Sequence, residues 1–292
     1  MIRTIVCTLF LLLSLSLTGQ EGAVVVPGGE LIQLADGFSF TEGPAADGQG
    51  NVYFTDQPND RILKWSVDGQ LSLFMEGAGR ANGLYFDREG NLLSCSDAEN
   101  ELWRIAPDGT HRVLVADFDG HKLNGPNDLW VTPGGDIYFT DPLYPRDYWQ
   151  RSPAMQQDGE HVYRLSADGK TLERVAADLQ KPNGIVGTPD GKRLYVADIG
   201  AGKTYRYDIE ADGSLSGKTA LIDMGSDGMT LDAAGNIYLT GRGVTIFNPA
   251  GEHIGHIPVA EGWTANVCFG GADGQTLFIT ASKSLYAIHI DN

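Results

Sequence analysis

The stretch Gly50-Asn51-Val52-Tyr53-Phe54-Thr55-Asp56 decides the fold, because it comes back. GNVYFTD (50–56) returns as GNLLSCSD (90–97), GDIYFTD (135–141), KRLYVAD (192–198), GNIYLTG (235–241) and QTLFITA (275–281). Anchored on Tyr53, Leu93, Tyr138, Tyr195, Tyr238 and Phe278, the six copies are spaced by 40, 45, 57, 43 and 40 residues. That period is too long for a leucine-rich repeat and suits a four-stranded propeller blade. Each copy is dense in β-branched and aromatic residues, the composition of a buried strand.

The rest of the unit repeats in phase. A second strand-like run follows each phrase: RILKWSVDG (61–69), ELWRIAPDG (101–109), HVYRLSADG (161–169), TYRYDIEADG (204–213), GVTIFNPAG (243–251) and SLYAIHIDN (284–292). Most end in Asp-Gly, a pair that supplies positive φ angles and marks a tight reversal. The next runs are QLSLF, THRVLV, KTLERVA, SGKTALI and EHIGHIPV, five in all, so the sixth copy has no fourth strand of its own. A matching segment, GGELIQLADG (28–37), stands ahead of the first copy. The expectation is an all-β, six-bladed β-propeller of four-stranded antiparallel blades, with residues 30–36 closing the ring in the last blade and residues 25–292 forming a single domain. Such closure removes open sheet edges. The 57-residue spacing comes from an insertion in the third blade, PLYPRDYWQRSPAMQQDGE (142–160), read either as a lid or binding loop or as a crossover or packing loop.

Composition limits what such a chain does. Its 292 residues carry 21 Lys+Arg against 38 Asp+Glu, a formal charge of -17, with no basic cluster, which argues against nucleic acid as a partner. Glycine numbers 38, about one residue in eight, with no Gly-x-y period, so the excess reads as turn chemistry. Arg3 precedes an apolar run over 5–17 that is too short to span a bilayer, followed by Thr18-Gly19-Gln20. Residues 1–20 therefore read as a secretory signal cut between about 16 and 20, with a secreted or periplasmic mature chain and no integral membrane segment. Cys95 and Cys268 then remain, as one disulfide or, the favoured reading, as two small core residues.

The candidate site is a second regularity. Eight residues before the glycine that opens or immediately precedes each phrase (Gly50, Gly90, Gly135, Gly191, Gly235 and Gly274) stand Glu42, Asn82, Asn127, Asn183, Asp227 and Asn266, all Asx or Glu. In a propeller these are equivalent positions where each innermost strand begins, so six polar side chains converge on the axis. Glu42 and Asp227 would repel each other there if left unpaired. A divalent cation cancels that charge, and oxygen-only donors select calcium first, with magnesium, manganese or zinc as alternatives. Turn formation is the competing explanation, since Asn82-Gly83 and Asn183-Gly184 are ordinary turn signals, but it does not account for Glu42.

TEGPAADGQGNVYFTD (41–56), NGPNDLWVTPGGDIYFTDP (124–142), KPNGIVGTPDGKRLYVAD (181–198) and SDGMTLDAAGNIYLTG (226–241) together resemble the ordered motifs of the SMP-30/gluconolactonase/luciferin-regenerating-enzyme family. The resemblance implies a six-bladed propeller, metal ligands at Glu42, Asn183 and Asp227, and a substrate- or water-facing amide at Asn127, with Asp128 bracing the loop. Animal members carry an arginine where this chain has Gly125, and the Asn124–Asp128 form looks like the bacterial lactonase branch. The function expected is metal-dependent opening of a lactone or related ester by activated water at the axis, with Asp227 as base. Asn127, Asn82 and Asn266 would hydrogen-bond the substrate, while His121 and Lys122 read as exposed loop residues rather than substrate contacts. The competing class is a non-catalytic secreted propeller with a structural calcium, binding a glycan or a partner protein.

Overall fold

The computed structural model describes residues 29–149 and 151–291; the signal segment expected at 1–20 lies outside them. The first blade runs from its innermost strand outward through Thr41–Ala46, Val52–Asp56, Arg61–Trp65 and Leu71–Glu76. Five further four-stranded antiparallel sheets follow, with innermost strands Ala81–Phe86, Leu129–Val131, Pro182–Gly187, Met229–Leu231 and Thr264–Gly270. The strand that closes the ring is Ile32–Ala35, paired antiparallel with Ser284–His289 as the outermost strand of the sixth blade. Gly29 N–H extends that seam to His289 O at 3.0 Å.

The repeated phrase explains why the blades stack. Side chains alternate across a strand, and here both faces are covered. In Val52–Asp56, Tyr53 packs toward the second blade with Leu84 and Leu92, while Val52 and Phe54 pack toward the sixth with Phe278 and Leu285. The described residues contain six such apolar clusters, one at each blade interface, so the hydrophobic core is itself a ring. Outermost strands are the most exposed of each blade, as in Leu71–Glu76, where Leu71, Ser72, Leu73 and Glu76 are exposed.

The Asp-Gly reversals take a form of their own. Gly69 has φ 75° and its N–H meets Ser66 O at 2.9 Å, while Asp68 keeps a negative φ. The positive angle belongs to the glycine alone, which closes a short turn of the bulged hairpin type.

Between blades, hydroxyls bond across the interface at the axial end. Thr55 Oγ1 donates to Asn82 O (3.3 Å), Thr140 Oγ1 to Asn183 O (2.7 Å) and Thr240 Oγ1 to Ala265 O (2.8 Å). Each threonine comes from the repeated phrase and each acceptor from the start of the next blade's innermost strand. Thr140 and Thr240, together with Thr55, are essentially buried, so these bonds fix the height at which the polar ring sits.

Cys95 and Cys268 are both free, on the second and sixth blades, in agreement with the core reading and not with a disulfide. Among the described residues no helix is long and apolar enough to cross a membrane.

Candidate functional site at the propeller axis

All six ring residues lie where their innermost strands begin, but not in turns. Asn82-Gly83 and Asn183-Gly184 sit inside strands, and neither glycine has a positive φ, so the turn explanation fails for them. A register shift follows Glu42, Ala81 and Pro182 in their ladders, a bulge that re-aims the ring side chains. The glycines are needed for closeness instead. A Cβ on Gly43 would lie 2.1 Å from Asn82 O, and one on Gly228 would lie 2.0 Å from Asn266 Oδ1. Four of the six backbones approach this tightly because Gly43, Gly83, Gly184 and Gly228 carry no side chain.

Asn183 and Asp227 are in contact at the ring, and the Asp227 charge reaches Glu42. Asn183 Nδ2 donates to Asp227 Oδ1 at 2.8 Å and reaches the Tyr144 hydroxyl at 3.0 Å. Asp227 Oδ2 accepts Trp263 Nε1 at 2.6 Å, and Glu42 Oε2 accepts the Gly43 N–H at 2.8 Å. Burial, and then the neighbouring Asp227 charge, hold the Glu42 carboxyl well above the usual carboxylate range. Burial also pushes Asp227 up to about 6, against the bonds from Trp263 and Asn183 and the charge of Arg146.

Asp128 and Asn266 are tied to each other beside Glu42. Asn266 Nδ2 donates to Asp128 Oδ2 at 3.3 Å, a bond between the sixth and third blades and therefore across the axis. Asp128 Oδ1 takes the Leu129 N–H at 2.9 Å, and Asn266 Oδ1 takes the Val267 N–H at 2.8 Å. Burial pushes Asp128 up to about 7. Both amide atoms of Asn266 are thus engaged, whereas the side chains of Asn82 and Asn127 make no hydrogen bond among the described residues, though both are buried. The Asn124 loop is braced by Asp141, which accepts the Asn124 and Gly125 N–H groups at 2.8 Å each, rather than by Asp128. Beneath the Asp128–Asn266 pair, the innermost strands line a cavity of about 290 Å³.

The insertion lies over the ring. Besides Tyr144 on Asn183, it contributes Arg146, Tyr148 and Trp149, all anchored to Asp97 of the second blade. Lys181 Nζ, on the loop into the fourth blade, donates to Leu143 O at 3.1 Å. This is the binding-loop placement. His121 and Lys122 form a small exposed ribbon with Asp117 and Phe118. Trp263, Asp97, Tyr144 and Arg146 were not marked by the repeat. Trp263 lies only three positions before Asn266, which was the one available signal.

Asn183 Oδ1 is buried and has no hydrogen-bond partner, and it stands beside two carboxylates that raise each other's proton affinity. An unpaired oxygen beside competing anions fits a hard divalent cation. Among the described residues no three His, Cys, Asp or Glu side chains cluster as a metal cage, so any cation held here draws on the Asn183 amide as well as the carboxylates.

Fold and ring together define a six-bladed propeller with an acidic, oxygen-lined axial mouth. The chain belongs to the SMP-30/gluconolactonase/LRE-like family, whose model matches residues 40–283. It is 30% identical to a gluconolactonase of Zymomonas mobilis, over 87% of this chain and 80% of that one. It is 27% identical to a pentonolactonase of Haloferax volcanii, over 80% and 81%. The solved structure of a Xanthomonas campestris gluconolactonase superposes with a TM-score of 0.82 at 29% identity, covering 92% of this chain and 91% of the other.

Proposed function

We propose that the protein hydrolyses lactones at the axial mouth with the help of one divalent cation, calcium by preference, held by Glu42, Asn183 and Asp227. The observation that carries the reading is the unpartnered Asn183 Oδ1 beside two buried carboxylates. The lactonase names of the relatives support it. A bound cation supplies Lewis-acid stabilisation of the oxyanion that develops when an ester carbonyl is attacked. The protein's own groups do the rest. Asp227 is the carboxylate placed to take the proton of the attacking water, at its Oδ1. Trp263 and Asn183 fix the plane of that carboxylate. Asn82 and Asn127 offer uncommitted amides to the substrate ring, and the Asp128–Asn266 pair closes the floor.

The test is a lactone panel covering aldonolactones, aliphatic lactones and phosphotriesters. It is assayed after chelation and again with calcium, magnesium, manganese or zinc restored. Chelation and Asp227→Ala are each expected to abolish lactone hydrolysis while the β-sheet circular dichroism persists. Full activity in both the chelated protein and the variant overturns the assignment.

A further inference from the structure

In three blades the carboxylate at the Asp56 position of the repeated phrase shares one task, and the second blade carries Ser96 there. Asp56 accepts the Ser39 and Phe40 N–H groups, Asp141 those of Asn124 and Gly125, and Asp198 those of Gln180 and Lys181. In each case the aspartate holds the loop entering its own blade. Asp97 lies one residue past that register and is 4% exposed, and it accepts no backbone N–H among the described residues. The loop entering its blade is held by Asp60, which takes the Arg80 N–H at 2.6 Å. Asp97 Oδ2 instead accepts Gln57 Nε2 at 2.8 Å, the Tyr148 hydroxyl at 2.5 Å and Arg146 Nε at 2.8 Å. The buried Asp97 carboxylate thus orients the Arg146 guanidinium alongside Gln57 and Tyr148, with no backbone loop to hold.

Arg146 meets Asp97 through Nε alone. Neither of its Nη groups makes a hydrogen bond among the described residues, and its side chain is 30% exposed. It stands at the mouth of the ring: its Cζ is 5.9 Å from the ring of Tyr144, whose hydroxyl touches Asn183, and its charge is felt at Asp227. The strap that carries it is locked on both sides. Trp149 Nε1 donates to Asp97 O at 2.9 Å, and the Arg80 guanidinium lies 4.4 Å over the Tyr148 ring. Two oriented donor groups therefore project beside the acidic ring with no protein acceptor, a preorganised arrangement. The pair Arg146–Asp97 is neutral in sum, so it favours an uncharged acceptor over an anion.

We propose that Arg146 determines specificity by donating its Nη hydrogen bonds to hydroxyl oxygens of a polyhydroxylated, sugar-derived lactone, with Asp97 as the residue that positions it. This rests on the lactonase reading of the ring. An aliphatic lactone has no hydroxyl to accept these bonds and gains nothing from them. Trp263, 36% exposed across the mouth, leaves an apolar ring face for the C–H side of such a substrate.

The experiment compares δ-gluconolactone with δ-valerolactone in the full chain and in Arg146→Ala, Asp97→Asn and Tyr148→Phe. Arg146→Ala is expected to lower the ratio of kcat/KM for the two lactones by about 10- to 100-fold, the worth of hydrogen bonds from a charged donor, mostly through KM. Asp97→Asn should lower the ratio less, and Tyr148→Phe, which leaves the Arg146 contact in place, should not change it. An equal loss on both lactones in Arg146→Ala, or no change in the ratio, overturns the proposal. If the wild-type protein opens neither lactone, the lactonase reading fails. Arg146 is then judged by calorimetric binding of δ-gluconolactam, for which absent binding, or equal affinity in wild type and Arg146→Ala, overturns it.

Discussion

Calcium binding at the axial ring should be linked to protons, with a size and sign that the structure sets. Asp227 has its carboxyl raised to about 6 by burial, and Glu42 is raised as well. A cation needs these groups deprotonated, so proton and metal compete. For Asp227 alone, moving from about pH 7.5 to about pH 5 weakens calcium by about tenfold. The raised Glu42 carboxyl steepens the dependence beyond that. In the metal-free protein the linkage runs the other way. A folded carboxyl raised above its unfolded value stabilises the fold at low pH and loses that contribution as pH rises through about 6. The rise in Tm on adding calcium should therefore be largest at neutral pH. At saturating metal it should shrink by about 3–5 °C at about pH 5, the equivalent of about 1.4 kcal/mol. The assay is differential scanning calorimetry of chelated and calcium-loaded protein across this range, with titrations in two buffers of different ionisation heat to count protons released. A calcium increment that is unchanged or larger at acid pH refutes the placement of both carboxylates around the cation.

Other outcomes follow from single contacts. Thr140→Val removes the partner of both Asn183 O and the Asp128 N–H, two buried groups, and should cost about 2–4 kcal/mol in urea denaturation; a loss below about 0.5 kcal/mol contradicts the inter-blade role. Trp263→Phe removes a hydrogen bond that holds the Asp227 carboxyl down. The acidic limb of the pH–rate profile should then move to higher pH, and a shift to lower pH contradicts the contact. Cys95 and Cys268 are free, with thiols raised by burial, so both should titrate with Ellman's reagent only on unfolding, and Tm should not respond to reductant.

Much of this architecture was legible because a blade that buries both faces leaves a dense, periodic trace. Tyr53 and its equivalents made the count of blades possible, and the regular distance to Glu42, Asn183 and Asp227 placed the ring. Asn82-Gly83 and Asn183-Gly184 kept a turn explanation in play because glycine reads the same whether it supplies a positive φ or only room, and here it supplies room between blades. Asp97 stands one residue past the position of Asp56, Asp141 and Asp198, and its different task shows only in what it accepts. Arg146 and Tyr144 lie in the aperiodic insertion, where no period points inward. The engagement of Asn266 with Asp128 depends on contact between opposite blades, far apart in the chain, which spacing alone does not encode.

The bond between Asp128 and Asn266 turns the site into a cul-de-sac. On the proposed reading, a ring that enters beneath the strap meets this bond before the cavity below, so substrate and product would share one doorway. Opening a lactone converts a neutral guest into an anion facing Glu42 and Asp227 at close range. The new carboxylate then has no route away from them except back past Arg146, which makes departure sensitive to the charge held at the mouth, and makes the hydroxy acid a competitor for the same berth.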